Sequence, residues 1–160
     1  MTLIPLSQGK FAKVDDDKLE LLSEYKWYFD EGYACAHSGD TVIRMHQLIL
    51  PVDEGFEVDH KDHDGVNNQL SNLRAATKSQ NAYNSVGRSN FYTNYRGVTF
   101  NARRGKWQAQ IKVNGHYKYL GVFDSDIEAA KRYDRAASLY HGEFATLNFP
   151  SSRIVVVMET

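Results

Sequence analysis

The chain has 160 residues, 42% of them hydrophobic, which suffices for one domain or two small ones, each with a modest core. No apolar run reaches transmembrane length, Met1 leads into no signal-peptide pattern, and the single cysteine excludes an intramolecular disulfide framework; these point to a cytoplasmic protein with no membrane partner. The net charge of −1 hides an asymmetry: residues 1–64 carry 14 Asp/Glu against 6 Lys/Arg, whereas residues 65–122 carry 9 Lys/Arg and no Asp/Glu. An acid-free basic block of that length is the footprint of a polyanion partner.

Residues 1–50 alternate strand-like and turn-like pieces. Ile4-Pro5-Leu6 and Phe11-Ala12-Lys13-Val14 read as short strands broken at Gln8-Gly9. Asp15-Asp16-Asp17 is placed to cap an amphipathic segment with Leu19, Leu22 and Tyr25 on one stripe. Trp27-Tyr28-Phe29 and Tyr33 to Ala36 flank the turn Asp30-Glu31-Gly32, a hairpin signal. Thr41 to Met45 is a further strand, and His46 to Leu50 predicts a helical turn or two before Pro51. Together these predict a small α+β support. Trp27, Tyr28 and His46 read as structural, His46 lying near enough to the following stretch to assist it.

Residues 57–84 are the chemically dense part: EVDHKDHDGVNNQLSNLRAATKSQNAYN. A short strand ends on Asp59-His60, an Asn/Asp/Gly-rich turn follows, and Leu73 to Ala76 gives a second strand. Thr77 and Gln80 form a capping box, so a helix opens there with Asn81 in its first turn. Asp59 is a hard oxygen ligand, Asn81 offers an amide oxygen, and His60 is a base near neutral pH. Two oxygen ligands with open positions suit Mg²⁺ or Mn²⁺. Asp62 and Asp64 lack the closing Glu of a calcium loop, and Cys35 alone makes no zinc site. Asp59-His60 in an ordinary Asn-rich turn would mean little; the spacing of three separated motifs carries the reading.

Asp59-His60, Asn72-Leu73-Arg74 and Gln80-Asn81, with Asn67-Asn68 and Thr77 between them, resemble the HNH family of ββα-metal endonucleases, in the form found in phage and intron-encoded homing enzymes. The resemblance implies a metal ligand at Asp59, the general base at His60, a loop brace at the catalytic-motif position Asn72 and a second metal ligand at Asn81. Asn rather than His at the last position favours Mg²⁺.

Residues 84–94 are polar and aperiodic, a linker in which Arg88 could track a phosphate backbone. Beyond it the pattern predicts three strands and a helix. Tyr95 to Phe100 is the first strand, followed by the basic turn containing Arg103 and Arg104. In Lys106 to Val113, Trp107, Ala109, Ile111 and Val113 alternate with Lys106, Gln108, Gln110 and Lys112. Asn114-Gly115 marks a hairpin turn before His116 to Phe123. Ser125 and Glu128 form a capping box for a helix that stops at Gly142. The open sheet face carries Lys, Gln and Tyr, groups that read phosphates and base edges.

Tyr95-Arg96-Gly97-Val98, Lys106-Trp107, Leu120 to Asp124, Glu128-Ala129-Ala130, Tyr133-Asp134 and Leu147 to Pro150 resemble the plant ethylene-response-factor (Apetala-type) DNA-binding domain. That implies major-groove contacts from Arg96, Thr99, Arg103, Gln110, Lys112 and Tyr119. Thr99 stands where a base-reading Arg is usual, so the plant sequence preference does not transfer.

The fold expected is α+β: a ββα-metal HNH nuclease module over 1–84, a linker over 85–94, a three-stranded antiparallel sheet packed on one α-helix over 95–150, and a tail over 151–160. The function expected is a Mg²⁺- or Mn²⁺-dependent homing-type endonuclease acting on double-stranded DNA in a bacterial or phage-infected cell, with a monomer favoured. A non-catalytic DNA-binding regulator and a poorly specific host-degrading nuclease are the rival readings.

Overall fold

The computed structural model describes residues 1–85 and 93–150. Arg88 and the tail over 151–160 lie outside the described residues. The chain divides into one unit, Met1–Asn81, and a second that begins at Ala82. It is a mixed α/β protein whose strand pairs are all antiparallel among the described elements.

In the first unit, β1 (Thr2–Pro5) and β2 (Phe11–Val14) pair from Thr2 opposite Val14 to Pro5 opposite Phe11. Alternation turns Ala12 and Val14 inward, both fully buried. Helix α1 (Leu19–Ser23) buries Leu22. Its expected cap is absent: no side chain caps α1 or the 3₁₀ turn before it. The Asp15 carboxylate instead accepts hydrogen bonds from Leu70 N at 2.8 Å and Gln69 Nε2 at 3.2 Å, so it pins a loop distant in sequence.

A three-stranded sheet follows, from β3 (Tyr28–Asp30), β4 (Tyr33–Ser38) and β5 (Thr41–Arg44). Glu31 and Gly32 both have positive φ in the β3–β4 turn, as a two-residue hairpin requires. Helix α2 (Met45–Ile49) buries Met45, His46 and Ile49. Val14, Leu22, Trp27, Ala36, Met45, Val58 and Leu73 form one apolar core. Trp27 donates from Nε1 to Leu22 O at 2.9 Å, which satisfies its polar edge while the ring fills that core. Strand β6 (Phe56–His60) and strand β7 (Leu73–Thr77) then pair with Asp59 opposite Arg74, and β7 runs into α3 (Lys78–Asn84). The capping box forms as the sequence predicts: Gln80 N donates to Thr77 Oγ1 at 3.3 Å and Thr77 N to Gln80 Oε1 at 2.8 Å.

The second unit is a sheet in the order β10–β9–β8, from β8 (Val98–Asn101), β9 (Lys106–Val113) and β10 (His116–Phe123), with α4 (Asp126–His141) across one face. The first strand begins at Val98, not at Tyr95. Gly97 has a φ of 70°, and a Cβ there would overlap the Tyr133 ring, so the chain turns where the ring passes. Ala129 and Ala130 pack on Val98 and Ala109, and Ala136 and Ala137 on Ile111; small side chains let α4 lie close. Asp134 on α4 accepts from Asn148 N at 2.8 Å and Phe149 N at 2.9 Å, and Asn148 Oδ1 accepts from Arg96 N at 2.6 Å. The buried Asp134 carboxylate thus ties Asn148 and Phe149 to α4, and Asn148 carries the tie on to Arg96.

Candidate active site

Adjacent residues in a strand face opposite ways, so the last two residues of β6 project to its two sides. On one side Asp59, 5% exposed, accepts from Arg74 Nε and Nη2, each at 2.8 Å. Glu57 shares this side by the two-residue period, and its carboxylate accepts from Asn81 Nδ2 at 2.8 Å. The bond turns the Asn81 carbonyl oxygen away from Glu57. Two carboxylates and an amide oxygen therefore border one face. Among the described residues no three His, Cys, Asp or Glu side chains form a ready metal cage, so a cation here would rest on few protein ligands.

On the other side His60 is buried, and its Nε2 lies 3.1 Å from Asn68 Oδ1. The His46 ring meets His60 at 4.9 Å and 84°, edge to face, and Tyr33 stands beside both. His46 is itself buried with no hydrogen-bond partner at Nδ1. Asn68 is held by backbone pairing with β2, Asn68 N donating to Lys13 O at 2.8 Å and Lys13 N to Val66 O at 2.8 Å. The N-terminal strands and Asp15 are what fix the loop beside His60.

Asn72 does not approach the reactive side chains as a ligand would. Its Oδ1 accepts from Asp62 N at 3.1 Å, and its Nδ2 donates to Asp62 Oδ1 and Asn67 O, each at 2.8 Å. It braces the loop. Asn72→Ala should cost about 2–3 kcal/mol, roughly one per lost bond. Thermal melts would show the loss, and an Asn72→Ala melting temperature equal to the wild type would remove the brace.

Burial, with His60 and Arg44 nearby, pushes His46 down to about 4, and burial also lowers His141. Between pH 6.5 and 4 the unfolded chain takes up protons that the folded one refuses, so stability falls as pH drops through that window. His46 alone contributes on the order of 3 kcal/mol to that fall. Between pH 7 and pH 5 about 2 kcal/mol of this should be lost, so urea midpoints at the two pH values should differ, and less so in His46→Phe. Equal midpoints would remove the effect.

The second unit has its own candidate surface. Cross-strand pairs put Thr99, Gln108 and Val122 in one row of the face away from α4, with Gln110 beside Tyr119 and Lys112 beside Tyr117. A hollow of about 350 Å³ is lined by Thr99, Asn101, Gln108 and Gln110. Arg103 and Arg104 stand exposed in the turn at its end. Lys106 pairs with Asp124. Arg96 departs from expectation, because its guanidinium donates inward, to Tyr133 Oη at 2.8 Å, to Ala82 O at 3.1 Å and to Ser85 O. It holds the fold together and is withdrawn from the open face.

Comparison with known proteins now decides the family. Residues 51–83 match the family model described as HNH endonuclease, and residues 93–143 match the AP2 domain. A protein of Acanthamoeba polyphaga mimivirus described as an uncharacterized HNH endonuclease is 32% identical over 154 residues, 92% of this chain and 79% of the relative. The chain belongs to the HNH endonuclease family. It joins an HNH segment to an AP2 domain. An APETALA2-like protein of Oryza sativa is 32% identical over 128 residues, 76% of this chain but only 28% of the rice protein. An AP2-like ethylene-responsive transcription factor of Arabidopsis thaliana is 49% identical over 55 residues, 34% of this chain and 11% of its own length. The HNH match takes in Asp59, His60, Asn72 and Asn81, and it also spans Glu57, Asn68 and Arg74. Asn68 and Arg74 stand in the sequence motifs without a role and Glu57 stands outside them, because what these three do depends on partners across the hairpin or the loop.

Proposed function

We propose that this HNH endonuclease hydrolyses phosphodiester bonds of double-stranded DNA with the help of Mg²⁺ or Mn²⁺, as a homing-type enzyme whose AP2 domain reads the major groove. The observation that carries the reading is the end of β6, where Asp59 and His60 are neighbours, each held by its own polar partner, Arg74 and Asn68. Asp59 and Asn81 would hold the ion. Their oxygens are the hard donors that Mg²⁺ and Mn²⁺ prefer, and so small a protein set leaves room for water and phosphate. When bound, the ion supplies polarisation of the phosphodiester and stabilises the leaving oxygen.

The remaining work falls to the chain itself. Arg74 holds the Asp59 carboxylate in place, and Glu57 holds the Asn81 amide. His60 takes the proton from the attacking water. Asn72 keeps the loop closed around it. On the AP2 domain, Gln108, Gln110 and Thr99 reach base edges, while Arg103, Arg104, Lys112 and Tyr119 meet the backbone.

Asp59→Ala and Asn81→Ala should both raise the Mg²⁺ concentration that gives half-maximal cleavage, by roughly 10–100-fold. A Mg²⁺ titration of single-turnover cleavage measures this. Unchanged midpoints in both variants would remove the shared ion site.

A further inference from the structure

Asn68 is fully buried, at 0% exposure, where an amide left without partners would be costly. Both ends of its amide are engaged. Nδ2 donates to Met45 Sδ at 3.4 Å, and Oδ1 faces His60 Nε2 at 3.1 Å. A thioether sulfur accepts and cannot donate, so the sulfur decides which end of the amide is the NH₂. The carbonyl end must then face His60, and it too only accepts. His60 Nε2 must donate.

We propose that Asn68 is a positioning residue that fixes the His60 tautomer: Met45 orients the amide, the amide holds the proton on Nε2, and the lone pair stands on Nδ1. This rests on the reading of His60 as base and concerns the tautomer that base is held in. His46, edge-on at 4.9 Å, limits how far the ring can turn. Asn68 touches neither substrate nor reacting atoms. It acts through His60, as the third group that orients a base in other catalytic arrangements.

The tautomer is read directly by long-range ¹H–¹⁵N correlation on the full chain with ¹⁵N-labelled histidine, at alkaline pH where imidazoles are neutral. The six histidines give separate patterns, and the one missing in His60→Gln belongs to His60. The expected wild-type pattern has the proton on Nε2. Asn68→Leu should give a mixture or the Nδ1–H form, and should slow single-turnover cleavage by about 10–100-fold with DNA affinity unchanged. Should Asn68→Leu fail to fold, Met45→Leu takes its place. It keeps the volume and removes only the acceptor, and should shift the tautomer in the same direction. A wild-type Nδ1–H form overturns the proposal, and so does an Nε2–H form unmoved by a folded variant. No DNA or metal enters the spectrum. A chain with the expected tautomers that cuts no DNA therefore supports the Asn68 assignment and overturns the nuclease reading.

Discussion

His60→Ala should slow single-turnover cleavage of duplex DNA by about 10²–10⁴-fold while leaving DNA affinity unchanged, because what is lost is one proton transfer in the transition state. The ring lies buried among His46, Tyr33 and Asn68, so its removal leaves a small hollow and an unmatched Asn68 carbonyl. Some stability should go with it. A melting curve separates that loss from the chemistry: the variant must still be folded at the assay temperature, with the rate fallen far more than the folded fraction. Near-wild-type turnover in folded His60→Ala would assign the base elsewhere, with His46 the next group to test.

Replacing Arg103, Arg104 and Lys112 together by Ala should flatten the salt dependence of DNA binding. Each phosphate neutralised adds about −0.9 to the slope of log affinity against log salt, so three contacts account for roughly 2.7. These residues are chosen by geometry. Arg103 and Arg104 are exposed in the β8–β9 turn, and Lys112 is exposed on the face away from α4. Arg96 belongs in a different experiment, since its guanidinium is bound to Tyr133, Ala82 and Ser85. Arg96→Ala should lower the melting temperature more than the slope. Equal slopes for the triple variant and the wild type would mean that another surface meets the phosphates.

What the sequence disclosed about this fold was what neighbouring residues decide. Thr77 and Gln80 are three apart and their capping box forms, and Ser125, three before Glu128, caps α4 by accepting from Glu128 N. Asn114-Gly115 takes the two positive φ values its hairpin needs. The strict alternation of β9 appears as Ala109 and Ile111 buried under α4. What escaped is set by distant partners. Asp15 looked like a helix cap because caps are local, yet its carboxylate binds Gln69 and Leu70. Tyr95 looked like a strand residue, but the Tyr133 ring forces the turn at Gly97. Asn68 looked like a turn residue in an Asn-rich loop. Only the position of Met45 Sδ on one side and His60 on the other gives it a task. In the same way Arg74 reads as a basic strand residue until the register sets it opposite Asp59.

Supercoiled plasmid shows whether this chain cuts duplex DNA with a divalent ion. With Mg²⁺ present the wild-type chain should convert supercoiled DNA to nicked or linear product, and EDTA should stop the conversion. DNA that stays supercoiled with Mg²⁺ and with Mn²⁺, under conditions where a mobility shift shows it bound, would replace the nuclease with a DNA-binding regulator.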